Sequence, residues 1–106
     1  MRTPDIEAVI SFLKTEDGGR SRPCTSGYRP AHLIKDDYLT TGTHNYFGKD
    51  EVLPGETVTG TITFITPEAY PQSLWEGKVI NIQEGSMIIG YAKVTKVMNE
   101  LLKFEE

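Results

Sequence analysis

The sequence has few of the residues that metal and disulfide sites require. Cys24 is the only cysteine among 106 residues, so no internal disulfide can form and a reducing compartment is the simpler expectation. His32 and His44 are the only histidines, and their spacing with a single cysteine does not match a zinc site. Cys24 itself is expected to be a buried or bystander thiol, because no neighbouring base activates it. The sequence therefore predicts neither a disulfide framework nor a metal centre.

Phosphate-binding loops and long apolar segments are missing as well. No glycine-rich stretch ends in Lys-Ser or Lys-Thr, as a nucleotide-binding P-loop does. Asp36-Asp37 and Asp50-Glu51 are adjacent acidic pairs in expected loops, where surface charge is commoner than a general acid and base. Charged residues interrupt the start of the chain, so we expect no signal peptide and no membrane span. These features predict a cytoplasmic protein that is not an enzyme and binds no cofactor or nucleotide.

The charge is acidic overall but unevenly distributed. The chain carries 11 basic and 15 acidic residues, which argues against a general nucleic-acid binder with a basic stripe. Three of the four arginines, however, lie close together at Arg20, Arg22 and Arg29. Arginine side chains in such a loop either tie it to the rest of the fold or bind an anion of a partner. Both interpretations are open at this stage.

Apolar and polar residues alternate with period two, which predicts strands and no long helix. Residues 6–13 form one such strand. Thr57–Phe64 is the clearest, with Val58, Ile62 and Phe64 facing inward and four threonines facing outward. Gly60 lies on its apolar face, where a closed sheet bends or another chain approaches closely. Further strands are expected at 31–34, 38–43, 79–83 and 86–97.

About six short strands in a small chain favour a closed antiparallel β-barrel, because closure removes the sheet edges. We expect residues 1–106 to form a single domain, with the barrel at about 6–97 and a short tail at 98–106. The tail is expected to be either a helical turn or frayed. Gly48–Gly55 predicts an exposed loop that ends in a Pro-Gly turn, and Asp36-Asp37 predicts a charged turn.

The strand predicted at 86–97 is apolar on both faces at its start. Ile88, Ala92 and Val94 share one face. Met87, Ile89 and Tyr91 share the other face. In a one-layer barrel the outward face must be covered by a loop or by a partner. We therefore take Met87, Ile89 and Tyr91 as candidate partner-binding residues.

The segment 68–78 contains Tyr70 and Trp75 and shows no clear period. Large amphipathic rings often anchor protein interfaces, which makes Tyr70 and Trp75 candidate partner-binding residues too. The alternative is that Trp75, the only tryptophan, closes an end of the barrel as a core residue.

One motif has a residue order that a specific backbone path would require. It begins with Gly18-Gly19-Arg20 and Pro23 and ends with Gly27-Tyr28-Arg29-Pro30. Paired glycines predict a turn, and the prolines hold the residues before them in extended conformations. The motif resembles the Gly-Gly-Arg…Pro…Gly-Tyr-Arg-Pro signature of the third, C-terminal domain of bacterial elongation factor Tu. Similar landmarks follow in the family's order, at Leu53-Pro54-Gly55-Glu56, Ile65-Thr66-Pro67, Ile82-Gln83-Glu84-Gly85 and Gly90.

The resemblance covers nearly the whole chain and implies a closed Greek-key barrel that binds other macromolecules. In the family this domain contacts the T-stem of tRNA, mainly through an Arg-Glu-Gly turn and a lysine before a proline. Glu84 and Gly85 match that turn and are the RNA-binding residues that the resemblance implies. Gln83 and Thr66 replace the two cations, and the loss of charge weakens an RNA interaction. The span from Pro67 to Glu84 is a few residues longer than the family pattern.

Three functions are compatible with the sequence. The preferred one is a non-catalytic module that binds a protein partner, with a role in translation implied by the resemblance. The second is direct binding to tRNA or the ribosome. The third is an enzyme with a site in the barrel mouth, lined by Tyr28, His32 or Trp75.

Overall fold

The computed structural model describes residues 3–35 and 38–104, so the predictions on Asp36-Asp37 and on the last two residues lie outside the described residues. The described residues form eight strands: β1 Ile6–Phe12, β2 Cys24–Thr25, β3 Ala31–Lys35, β4 Tyr38–Tyr46, β5 Glu51–Val52, β6 Thr57–Phe64, β7 Val79–Glu84 and β8 Met87–Val97. Short 3₁₀ helices occupy Thr15–Asp17, Pro67–Ala69 and Glu100–Leu102. None of the helices within the described ranges is long or apolar enough to cross a membrane.

Six of the strands close into an antiparallel barrel in the order β1-β6-β4-β3-β7-β8. The barrel closes where β8 pairs with β1, from Ile6↔Val97 to Phe12↔Gly90. The first strand lies beside β6 although two barrel strands separate them in the chain, which is the order of a Greek key. The predicted fold class is confirmed.

The barrel interior is built from the apolar faces that the period-two pattern predicts. Side chains alternate strictly between buried and partly exposed along β1, and Val58, Ile62 and Phe64 of β6 point inward as predicted. Thr61 faces outward as predicted but is nevertheless buried, because β6 pairs with β1 on one side of it and with β4 on the other. At Gly60 the backbone of Asn45 lies so close that a Cβ would collide with it. The predicted close approach at Gly60 is confirmed.

A β-bulge changes the face assignment in β8. Ile82 pairs with Gly90 but Gln83 pairs with Ile88, so Ile89 is the extra residue between two pairs. The extra residue shifts the alternation by one position and turns Ile89 inward, where it is fully buried. The prediction that Ile89 shares an outward face with Met87 and Tyr91 is therefore wrong.

The loop predicted at Gly48–Gly55 is only partly exposed. Its residues Glu51 and Val52 form β5, which pairs with β2 through Cys24↔Val52. This two-residue sheet adds Cys24 and Val52 to the hydrophobic core. Two residues are too few to show a strand period, so the sequence pattern cannot reveal them. The Pro-Gly turn itself is present, with a positive φ of 88° at Gly55.

The segment after β6 and the C-terminal tail pack together. Leu74 N donates to Leu102 O at 2.9 Å, and Phe104 N donates to Leu74 O at 2.8 Å. The side chains of Leu74 and Leu102 are fully buried. Asp5 holds the start of the tail, because its carboxylate accepts a 2.8 Å hydrogen bond from Asn99 Nδ2. The predicted helical turn is present, and the alternative of a frayed tail is wrong for the residues up to Phe104.

Candidate functional site

The motif loop closes on the carboxylate of Glu84. The Arg20 guanidinium lies 3.4 Å from Glu84 Oε2, and the Tyr28 hydroxyl donates a hydrogen bond to the same oxygen. The guanidinium also lies 4.6 Å from the centre of the Tyr28 ring. Three segments that are separate in the sequence, Gly18-Gly19-Arg20, Gly27-Tyr28 and Glu84-Gly85, therefore meet at one point. For Arg20, the interpretation that it ties the loop to the barrel is confirmed.

The two other arginines of the loop behave differently. Arg22 and Arg29 are exposed, and neither guanidinium makes a hydrogen bond or ion pair within residues 3–35 and 38–104. Pro30 is buried at the start of β3, and Pro23 is partly buried. The prolines and Arg20 therefore fix the loop, while Arg22 and Arg29 remain in solvent.

Burial sets the acid–base properties around this cluster. Burial and the hydrogen bond to Glu84 raise the pKa of Tyr28. Burial also raises the pKa of Cys24, although Arg20 Nη1 lies 3.5 Å from its Sγ and opposes the shift. Since the thiolate is the reactive form of cysteine, Cys24 is an unreactive thiol at neutral pH.

The two RNA-binding positions implied by the resemblance lie in the β7–β8 turn. Glu84 is engaged by Arg20 and Tyr28, as described. Gly85 has a positive φ of 61°, and its carbonyl accepts a 3.0 Å hydrogen bond from Gln83 Nε2. Both residues thus have a structural role within the turn itself. Met87 is exposed beside this turn, where Arg20 and Arg22 of the motif loop approach the end of the β7–β8 hairpin.

The barrel interior contains a chain of polar side chains that sequence spacing did not predict. His32 Nε2 lies 2.8 Å from His44 Nε2, His32 Nδ1 lies 3.3 Å from Thr40 O, and His44 Nδ1 lies 2.9 Å from Tyr46 Oη. The Thr40 carbonyl only accepts, so His32 Nδ1 carries the proton and His32 Nε2 accepts from His44. His44 Nδ1 then accepts from the Tyr46 hydroxyl. Every nitrogen is satisfied when both rings are neutral.

Burial keeps both histidines neutral. It lowers the pKa of His32 to about 4, and burial together with the charge of His32 lowers the pKa of His44 well below its usual value. No group of three or more His, Cys, Asp or Glu side chains able to hold a metal occurs in the described ranges. The ring of Tyr28 packs edge-on against His44 at 5.9 Å, but Trp75 lies elsewhere. The three residues predicted for a barrel-mouth site are therefore not brought together.

Trp75 lies outside the barrel, in contact with the tail. Its ring is 46% exposed and packs against Phe104 with ring centroids 5.8 Å apart. The Lys78 ammonium lies 4.5 Å from the centre of the Trp75 ring. The interpretation of Trp75 as a core residue is therefore wrong. Tyr70, in contrast, is fully buried and its hydroxyl donates to Thr40 Oγ1 at 3.2 Å, so Tyr70 is not an exposed partner-binding residue.

A groove lies where β3 and β7 separate, and its lining includes Lys78, whose ammonium stacks on Trp75. These strands pair over only three positions, from Ala31↔Gln83 to Leu33↔Asn81. Beyond Leu33 the groove is lined by Leu33, Ile34, Lys35, Lys78, Val79 and Asn81. The β7–β8 register places Tyr91 beside Asn81 and Lys93 beside Val79 on the outer surface. We call Leu33, Lys35, Trp75, Val79, Tyr91 and Lys93 the Trp75 face.

Trp75 and Tyr91 are both exposed, and they are the two predicted partner-binding residues that we include in the Trp75 face. Met87 is exposed at the other end of the hairpin, and Tyr70 and Ile89 are buried. Sequence analysis missed Val79, which is 56% exposed. Its signal was present, because Val79 alternates with the inward residues Ile80 and Ile82 and so places one apolar side chain on the outer side of β7.

No protein-family model matches the sequence. The resemblance to the third domain of elongation factor Tu remains a prediction based on the motifs quoted above.

Proposed function

We propose that this chain is a non-catalytic binding module that engages a protein partner through the Trp75 face. The observation that carries the proposal is that Trp75 remains half exposed although the segment around it is firmly anchored. An exposed ring on a mobile loop would need no explanation. An exposed ring held in place by buried neighbours is typical of an interface anchor.

The anchors lie on both sides of the ring. Tyr70 and Leu74 are fully buried before it. After it, Gly77 N donates to Val94 O at 2.7 Å, and Lys78 Nζ donates to Ile34 O at 2.6 Å and to Ser73 O at 2.7 Å. Because the backbone on both sides is fixed, little conformational entropy is lost when Trp75 is covered by a partner.

The neighbouring exposed side chains extend the apolar surface beyond one ring. Val79 and Phe104 are about half exposed, and Tyr91 is 39% exposed. Contiguous apolar patches of this kind on a small protein commonly mark an interaction site.

A protein partner is favoured over RNA by the state of the β7–β8 turn. Glu84 contributes a negative charge there, and it is the Arg20 guanidinium that balances it. Gln83 and Thr66 supply no cation, so phosphate recognition would depend on Arg22 alone at this turn. The resemblance to an elongation-factor domain makes components of the translation machinery the first partners to test. A cytoplasmic location belongs to this proposal, since the single thiol suits a reducing compartment.

The proposal is tested by affinity capture from lysate of the native cell, with and without nuclease, using wild-type protein, Trp75→Ala and Phe47→Ala. Phe47 is 51% exposed and lies at the end of β4, where its N–H bonds to Thr59 O, so it is a matched surface control. We expect nuclease-resistant capture by the wild type and by Phe47→Ala, and its loss in Trp75→Ala. Far-ultraviolet circular dichroism checks that each variant is folded.

Two results would contradict the proposal. Capture that disappears on nuclease treatment would assign the binding to RNA. Capture that is equal for Trp75→Ala and the wild type would remove the Trp75 face from the binding site.

A further inference from the structure

We propose that the Trp75 face binds an acidic peptide segment of its partner, with carboxylates beside Lys35 and Lys93 and an apolar side chain against Trp75 and Val79. This inference rests on the proposed function and adds the chemistry of the partner. It follows from the charges that the barrel places around the groove.

The strand register defines which residues surround the groove. One row across the outer surface runs through Leu39, Leu33, Asn81, Tyr91 and Ser11. The next row runs through Val79, Lys93 and Val9. Among these described residues the only charge is the positive charge of Lys93, and Lys35 adds a second cation at the groove itself. The two rows and Lys35 thus carry positive charge in a chain with a formal net charge of -4, while the exposed Glu76 follows Trp75 directly.

Both lysines are available to a partner. Lys35 and Lys93 are exposed, and neither forms an ion pair within residues 3–35 and 38–104. Lys78 differs, because its ammonium is held by the carbonyls of Ile34 and Ser73 and stacks on Trp75. Lys78 therefore shapes the groove, while Lys35 and Lys93 are the cations that select a ligand by charge.

The shape of the groove favours an extended segment. It lies between two strands that have stopped pairing after Leu33↔Asn81, so its long walls are β3 and β7. An extended peptide along these walls directs alternate side chains to opposite sides. One side then faces Val79 and Trp75, and carboxylates next to it reach the two lysines.

The experiment is selection of a random 12-residue peptide library displayed on phage against the intact protein, followed by fluorescence anisotropy with the enriched peptide. We expect enriched peptides to be net acidic with aromatic or large aliphatic residues. Lys93→Glu and Lys35→Glu should each weaken binding by about fivefold, since an exposed charge pair contributes up to roughly this factor and reversal adds repulsion. Binding should also weaken as ionic strength rises.

Lys14→Glu is the matched control. It makes the same change in net charge, and Lys14 lies near Gly55, outside the two rows. We expect its affinity to remain within about twofold of the wild type, because screening removes most of the effect of distant exposed charges.

The outcomes separate this inference from the proposed function. Neutral or basic enriched peptides whose binding is lost in Trp75→Ala would keep the binding face and overturn the acidic class. A failure to enrich any peptide, or equal effects of Lys93→Glu and Lys14→Glu, would also overturn the inference. Asp36 and Asp37 are retained in the selected protein, so any neutralisation of Lys35 by these carboxylates would appear as a lack of acidic enrichment. Affinity capture by the Trp75 face tests the proposed function independently.

Discussion

Glu84 was singled out by a sequence motif, but the motif alone did not predict which side chains its carboxylate binds. The resemblance predicts an RNA-contacting turn at this position. In this structure its carboxylate receives the Tyr28 hydroxyl and the Arg20 guanidinium. Arg20 and Tyr28, two other residues of the motif, therefore hold the β7–β8 turn against the motif loop.

His32 and His44 show the opposite case, because no motif pointed to them. Each lies on an inward position of its strand, and the β3–β4 hairpin brings the two rings into contact. Only one proton fits between the two Nε2 atoms, so adding a second proton to the pair places two donors face to face. All four ring nitrogens have hydrogen-bond partners when both histidines are neutral. The hydrogen bond between the two rings is lost when both are protonated.

This arrangement predicts that the protein loses stability in mild acid. The folded pKa of His32 is lowered from 6.5 to about 4, and burial lowers the pKa of His44 well below its usual value. The unfolded chain therefore binds more protons below pH 6.5, and stability falls as pH decreases from there, until about pH 4 for His32. Each histidine adds a slope of about 1.4 kcal/mol per pH unit. Urea unfolding at pH 7, 6 and 5 measures this slope.

The control for the acid effect is His32→Gln, which keeps a polar side chain but removes one titrating ring. We expect this variant to be less stable at pH 7 and to show roughly half the slope between pH 6.5 and 5. Equal stability of the wild type at pH 7 and pH 5 would contradict the assignment of neutral buried rings.

At the scale of elements, β8 and the segment after β6 determine the surface of the molecule. The bulge at Ile89 moves one apolar side chain inward and leaves Met87 and Tyr91 outside. The segment after β6 buries Tyr70 and Leu74 and holds Trp75, which follows Leu74 directly, on the outside. The same short segment thus contributes both to the core and to the proposed interface.

Because Tyr70 is buried and Trp75 is about half exposed, substitutions of these two residues should lower the free energy of unfolding by different amounts. Tyr70→Ala removes a fully buried ring and should cost about 3 to 5 kcal/mol of unfolding free energy. Tyr70→Phe loses only the hydrogen bond to Thr40 and should cost about 1 kcal/mol. Trp75→Ala removes a half-buried ring and should cost about 2 kcal/mol, from the apolar area lost. Urea denaturation of the three variants measures these values.

The order of the effects is the critical result. If Trp75→Ala destabilised the protein more than Tyr70→Ala, Trp75 would be a structural residue, and its partial exposure would no longer support an interface.

At the scale of the whole molecule, closure of the barrel links the ends of the chain. The first strand pairs with the last along its full length, and Asp5 bonds to Asn99 in the tail. The anchors of the Trp75 segment belong to the same core cluster as the barrel strands. No separate unit is therefore available to unfold by itself in the described residues.

This connectivity predicts a single cooperative unfolding transition. Trp75 fluorescence and far-ultraviolet circular dichroism should report the same midpoint in urea, because Tyr70 and Leu74 anchor the segment that carries the ring to the core. A fluorescence change at lower urea than the loss of β-structure would show that the Trp75 segment detaches first. It would also argue against a preorganised Trp75 face.

Local order in the sequence was sufficient to predict the six barrel strands and the closed barrel, but not the short β2–β5 pair. The alternation in Thr57–Phe64 and the position of Gly60 identify an inward face, since a strand places every second residue on the same side. The motif around Gly18-Gly19-Arg20 predicted a fixed loop, and the structure fixes it through Arg20. These features depend on neighbours in the chain, so the residue order contains them.

The candidate site was decided by the tertiary structure. The bulge at Ile89 depends on the strand that pairs with β8, and the contact between His32 and His44 depends on the hairpin register. The Trp75 face combines residues from β3, β7, β8 and the segment before β7, and it exists only because β3 and β7 stop pairing after Leu33. The sequence determined which side chains are apolar or charged, and the closed barrel determined which of them meet, because strand pairing joins residues that are distant along the chain.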